Sequence, residues 1–349
     1  MSNKKEIRYM NYVKAFTIIA MVIGHAEGPI KWIFYQYHMA LFIFISGYFY
    51  KDFYSDKPQT LIFKRIKTLY LPFVIYEIIF VALRNVFFAF NLTESKYVYN
   101  KDLIIKVAKG LLKFNITEAH IGSFWFLKTL FIVTIAFCLL SFVIKKLKLD
   151  NKEWVRATLI LLLFILGCIL LKNSLNSNHK NIIRVLMTMI MFYFGYLFKK
   201  VEYKIPFNIY LFLISIVILI RNSHLGYVDI VNDRYTSPTF YIVSSIAGFY
   251  ANIYIGKLLE KKKEWNLRIL DYIGKNTIII LALHLLIFDI TRNIYTNLTD
   301  KSFTDLSNGW ILLTIAGVCI PIIIQIIIDK IKAVVYIKSK QIYISKRAK

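Results

Sequence analysis

The chain has 349 residues, 58% of them apolar, with 28 Phe, 24 Tyr and only six Pro. Soluble domains run at about 45–50% apolar, and a chain this apolar cannot stay solvated as a disordered coil, so both classes are excluded. The formal charge of +25 is not a nucleic-acid signature, because Lys and Arg fall in short strings between apolar runs instead of on one basic face.

A bilayer core of about 30 Å takes about 20 apolar residues per helix. The pattern predicts ten spans, at 10–26, 33–50, 69–90, 124–144, 155–172, 182–198, 206–221, 237–256, 273–292 and 309–329. The expected fold is all-α: one polytopic membrane domain over 1–349, with about ten helices around a polar cavity and no appended soluble domain. The first span is no cleavable signal, since Lys14 interrupts it and no small-residue cleavage site follows. Of the 45 Lys and Arg, with those at span ends counted to the adjoining loop, 29 flank the side that carries both termini, 13 the other, and Lys14, Arg84 and Lys128 lie deeper within spans. The positive-inside rule then puts both termini in the cytoplasm of a cell-membrane protein. Segment 91–123 contains DLIIKVAKGLLKF at 102–114, an amphipathic spacing. It reads as a helix on the outer membrane surface or as a cap over a cavity. Cys138, Cys168 and Cys319 each sit in an apolar run, at spacings that match neither a disulfide framework nor a metal site.

Charged and imidazole groups inside spans are costly and normally face a cavity or a partner. Span 1 carries Lys14 and His25. Their eleven-residue offset is about 20° past three full turns and about 16 Å along the axis, so both share one face. Lys14 alone would read as a snorkelling anchor and His25 as an interface residue; together they favour a polar cavity. Gly28-Pro29 marks a short turn into span 2, where His38 starts about one turn in, at a depth similar to His25. Two histidines alone do not make a metal site, and no metal is expected.

Lys14-x10-His25 followed by YHMALFIFISGY at 37–48 resembles the acyltransferase-3 family of integral membrane acyltransferases, in particular the branch that acetylates surface polysaccharides. The basic segment FKRIKTLYLP at 63–72, SFWFL at 123–127, FGYL at 194–197, IGKNT at 273–277 and His284 are similar to further family motifs in the same order. Three positions depart from the family pattern: Asn11 stands where Asp is common, Lys14 where Arg is common, and Thr68 where a second basic residue is common.

The resemblance implies an O-acetyltransferase with acetyl-CoA as donor and no metal. The acceptor would be a cell-surface or capsular polysaccharide, or its lipid-linked precursor. His25 takes the role of general base, and burial among Ile and Phe favours the neutral imidazole a base requires. His38, Ser46 or a Tyr hydroxyl is expected to orient it or to hold the oxyanion. Lys14, Lys64, Arg65 and Lys67 are expected to bind the phosphates of the donor at the inner mouth. The pantetheine arm is about as long as the Lys14–His25 offset, so the donor could reach an outer-side acceptor through the protein.

Other polar residues carry open readings. Glu27 is either a solvated loop carboxylate or a partner of His25. Glu77 and Arg84, seven apart, share a face and either line the cavity or make structural contacts. Lys128, three after Trp125, caps its helix or touches an acidic glycan. Trp125 is a candidate lining residue. His284 is either a packing histidine or a cavity residue, while His120, His179 and His224 are expected to be solvated in outer loops. Membrane lipids surround the chain, no nucleic-acid partner is expected, and the sequence leaves the oligomeric state open. A glycan or lipid exporter is the rival function, although it would more often show repeat symmetry and broken spans. A scaffold has no need for the Lys14, His25 and His38 group.

Overall fold

Apolar segments in a bilayer must satisfy their backbone internally, and helices do so within one segment. The computed structural model, which describes residues 7–173, 180–262 and 267–347, is built almost wholly of them. In chain order the helices are α1 (Arg8–His25), α2 (Lys31–Tyr35), α3 (His38–Tyr48), α4 (Pro58–Arg65), α5 (Leu71–Ala89), α6 (Lys101–Leu112) and α7 (Trp125–Lys146). They continue as α8 (Glu153–Asn173), α9 (Lys180–Val201), α10 (Ile209–Leu225), α11 (Pro238–Lys261), α12 (Arg268–Lys275), α13 (Thr277–Thr299) and α14 (Gly309–Arg347). A single π-turn, Ile66–Tyr70, fuses α4 and α5 into one helix of 32 residues. A small antiparallel hairpin, β1 (Val228–Asp229) and β2 (Arg234–Tyr235), departs from the all-α expectation.

Among the described residues, seven helices are long and apolar enough to cross a membrane. Each of the ten expected spans coincides with a helix, but α1, α3 and α10 fall short of that standard. The reason for α3 is burial. Ten of its eleven residues are buried, so protein rather than lipid surrounds it and it need not match the bilayer thickness. Local caps fix several starts. Asn100, Asn208 and Ser237 each accept a backbone N–H three residues on, and Pro238 follows at the first helical position, where its missing N–H costs nothing.

The core forms where α3 lies against α9 and α1 lies against α11 and α12. Two motif glycines make the first crossing possible. A Cβ at Gly47 would overlap the Phe192 carbonyl, and one at Gly195 would overlap the Phe44 carbonyl. Backbones this close need small residues at the contact. Gly47→Val should therefore lower the melting temperature of the detergent-purified protein, by roughly 1–3 kcal/mol of overpacking. An unchanged melting temperature would show that the crossing can yield. Near the N-terminus of α1, Glu202 locks the register of several helices. It accepts from Tyr9 Oη at 2.7 Å and Tyr48 Oη at 2.8 Å, and pairs with Lys257 at 2.7 Å.

The expected helix at 102–114 is present as α6, but its exit does not stay at the surface. Tyr70 Oη donates to the Leu111 carbonyl at 3.0 Å, and Phe114 packs on Phe73 with ring centroids 4.5 Å apart. The Thr117 backbone N–H donates to Glu77 at 2.8 Å, and the Thr117 hydroxyl donates to the same carboxylate oxygen. Residues 111–117 thus fold back along the 58–89 helix.

Candidate active site

The side chains on the shared face of α1 open into two cavities. The first, a vestibule of about 290 Å³, surrounds Lys14. Lys64, Arg65, Thr68 and Leu69 reach it from the α4–α5 helix, Ser46 from α3, and Lys275 from the end of α12. Positions 61, 64, 65, 68 and 69 form one helical stripe. The π-turn sits within that stripe, a distortion frequent at functional sites. Arg65 Nη2 donates to Ser46 Oγ at 2.7 Å, while its Nε is buried without a partner. Lys64 Nζ donates to Tyr54 Oη at 3.2 Å. The vestibule is therefore cationic, with donor capacity to spare.

Asn11 occupies a position where a second acid would be unfavourable. Its Nδ2 donates to Asp271 Oδ1 at 2.8 Å and its Oδ1 accepts from Lys14 Nζ at 3.2 Å. Asp271 also pairs with Lys275 at 2.6 Å. An Asp at 11 would face the Asp271 carboxylate with no proton between them. The amide instead joins Lys14 to the acid on α12.

The second cavity is a chamber of about 30 Å³ at the other end of α1. His25, Tyr35, His38, Ser123 and Trp125 line it, and residues Val228–Val231 of the hairpin roof it. Arg184 fastens the roof. Its Nε donates to the Ile230 carbonyl at 3.0 Å and its Nη2 to the Val231 carbonyl at 2.6 Å, with the guanidinium 4.9 Å above the Trp125 ring. At about 10–15 Å³ per ordered water, the chamber holds a reacting group and not a whole sugar.

Two histidines line this chamber, and a third, His284, contacts one of them from behind. His25 Nδ1 lies 2.8 Å from His284 Nε2, with the rings stacked at 5.0 Å. His284 is fully buried, and its Nδ1 is 2.9 Å from the Ile280 carbonyl and 3.1 Å from that of Leu281. His38 Nδ1 is 2.8 Å from the Phe34 carbonyl. Tyr35 stands between the two chamber histidines, with ring centroids 6.3 Å from His25 and 5.3 Å from His38.

Sequence reading and structure differ at several of these residues. The expected continuous passage from Lys14 to His25 is two cavities that meet at Leu281, the single residue lining both. Its carbonyl accepts from Ser123 Oγ at 2.8 Å. Ser46 belongs to the vestibule and touches Arg65, so it neither orients His25 nor holds an oxyanion beside it. Lys67 is exposed and does not line the vestibule, because two residues past Arg65 is about 200° around the helix. Glu77 is fully buried and anchors the Thr117 turn, away from both cavities, and Arg84 pairs with Glu118 at 3.1 Å. Lys128 donates to Asn115 Oδ1 at 2.6 Å and lines neither cavity. Glu27 is exposed, with φ 59°. His120 is buried with Nε2 3.2 Å from Asp289, His224 is exposed, and His179 lies outside the described residues. Sequence reasoning missed Lys275, Tyr35, Arg184 and the hairpin. Lys275 alone had a signal, since it stands inside the IGKNT motif.

The structure is thus a multi-pass helical bundle with a cationic vestibule and a histidine-lined chamber along one face of α1. The family model for the acyltransferase-3 family, described as "Acyltransferase domain", matches residues 7–329, and the chain belongs to that family. No curated protein and no solved structure matches it.

Proposed function

We propose that the protein moves an acetyl group from acetyl-CoA to a hydroxyl of a cell-surface or capsular polysaccharide or of its lipid-linked precursor. One observation carries this reading. Cationic and imidazole-lined cavities sit about three helical turns apart on one face of α1 and share Leu281. Vestibule cations Lys14, Lys64, Arg65 and Lys275 suit the phosphates of a CoA donor. The thioester is then directed past Leu281 towards His25. The acceptor hydroxyl attacks the thioester carbonyl, and His25 takes the hydroxyl proton. Collapse of the tetrahedral intermediate breaks the C–S bond. The proton passes to the departing thiolate, leaving an O-acetyl ester and free CoA. The vestibule faces the cytoplasm in this reading, as the charge bias of the loops suggests.

Deletion of the gene followed by NMR of the surface polysaccharide tests this directly. Loss of O-acetyl signals with polymer export intact is the expected result. Loss of the polymer itself would indicate an exporter. At the junction, Leu281→Trp should cut turnover roughly tenfold or more while the donor still binds in the vestibule, since only the approach to His25 is displaced. Donor titration beside single-turnover assays checks this. The backbone carbonyl that Ser123 and His284 use is untouched by the substitution.

A further inference from the structure

We infer that His284 is a positioning residue that fixes His25 in the Nδ1–H tautomer and leaves His25 Nε2 unprotonated for the chamber. The inference deepens the proposed role of His25, and its catalytic use rests on that reading.

Carbonyl oxygens accept and never donate. His284 Nδ1 lies within hydrogen-bond distance of two of them, Ile280 at 2.9 Å and Leu281 at 3.1 Å, so that nitrogen carries a proton. His284 is fully buried, no carboxylate pairs with it among the described residues, and an unpaired buried charge is strongly disfavoured. The ring is therefore neutral, and its Nε2 is a lone pair. Across the 2.8 Å contact the proton then belongs to His25 Nδ1, which donates to His284 Nε2. A neutral His25 with its proton on Nδ1 has none on Nε2.

The same count applies to His38. Its Nδ1 faces the Phe34 carbonyl at 2.8 Å and carries the proton, so a neutral His38 also offers a bare Nε2. His38 thus fits an acceptor of hydrogen bonds from the incoming hydroxyls and does not fit an oxyanion donor. The two rings differ in what holds them. A carbonyl holds His38, whereas a second imidazole holds His25. When His25 Nε2 takes the hydroxyl proton, its Nδ1–H still donates to His284. The positive charge is then met by the lone pair of a ring whose far side is polarised by two carbonyls. Orientation and charge stabilisation thus come from one side chain.

The test is nitrogen NMR of full-length protein in nanodiscs with ¹⁵N-labelled histidine, with His25→Gln used to assign the His25 resonances. The expected result is a His25 whose Nδ1 is protonated and whose Nε2 is a bare pyridine-type nitrogen. In His284→Leu that pattern should revert towards Nε2–H, the form a free imidazole side chain favours. A protonated Nε2 at His25 in the unaltered protein, or no change in His284→Leu, would overturn the assignment. In the acyl-transfer assay His284→Leu should lower kcat by about tenfold to a hundredfold with donor KM unchanged, as expected on losing the orienting partner of a histidine. His284→Gln, whose amide oxygen can accept from His25 Nδ1, should recover most of that loss. A merely structural role would lower the melting temperature and leave the Leu and Gln variants equally impaired. The NMR result does not depend on acyl transfer. A correct tautomer with no acetyl transfer to any hydroxyl would sink the functional reading and leave the lock standing, and the reverse outcome would do the opposite.

Discussion

His25→Ala is expected to abolish O-acetylation while the protein accumulates normally in the membrane. A general base contributes on the order of 10²–10⁴ in rate, and among the described residues no other bare imidazole nitrogen is coupled as His25 is to His284. His25→Gln should fail equally, because an amide accepts a hydrogen bond but does not take a proton. His25 contributes one contact to the buried His284 ring, so the fold should survive either change. Polysaccharide NMR from complemented deletion cells, with the membrane protein level measured in parallel, reads the outcome. Substantial activity in either variant would remove His25 from the chemistry.

The second large effect is expected at Arg65. Arg65→Ala should raise donor KM by about tenfold to a hundredfold, the equivalent of a charge-assisted hydrogen bond at roughly 1.5–3 kcal/mol. A shortened donor that lacks the 3′-phosphoadenosine should lose much less, because it has no phosphate there to forfeit. The competing role is visible in the structure: Arg65 Nη2 holds Ser46 at 2.7 Å. If that bond were its whole purpose, both donors would suffer equally. Lys14→Ala is expected to behave in the same direction. Its effect mixes with release of Asn11, since the two are bonded.

Local pattern made much of this legible. Apolar run lengths located the helices, and the eleven-residue offset put Lys14 and His25 on one helix face, though they line two cavities and not the single one expected. Lys67 was a misreading that helical geometry itself corrects, since a residue two past Arg65 points to the opposite side. Long-range packing was not legible. Nothing near His284 in the sequence announces His25, 259 positions away, as its partner. Nothing in the sequence links Arg184 to the hairpin at 228–235 that it fastens. The turn at 111–117 folds inward because Glu77 offers its Thr117 a buried acceptor, and that pairing spans 40 residues. Glycines Gly47 and Gly195 stood out as motif members, yet what they supply is room for a helix crossing and no chemistry.

The meeting of the two cavities at Leu281 bears on the membrane as an electrical insulator. An enzyme that admits a soluble cofactor from one face and works near the other risks becoming a wire between them. Each elementary charge that crosses 100 mV dissipates about 2.3 kcal/mol, so even a rare water file through the bundle would drain the gradient the cell maintains. Leu281, whose side chain carries no polar atom, is the residue at which the two cavities meet, and an apolar junction of that kind excludes water by dewetting. A thioester arm can push past a leucine and carry the acyl group on a covalent tether, whereas protons and ions need a continuous hydrated path. In the proposed reaction, acyl transfer past Leu281 is thereby compatible with retention of the membrane potential.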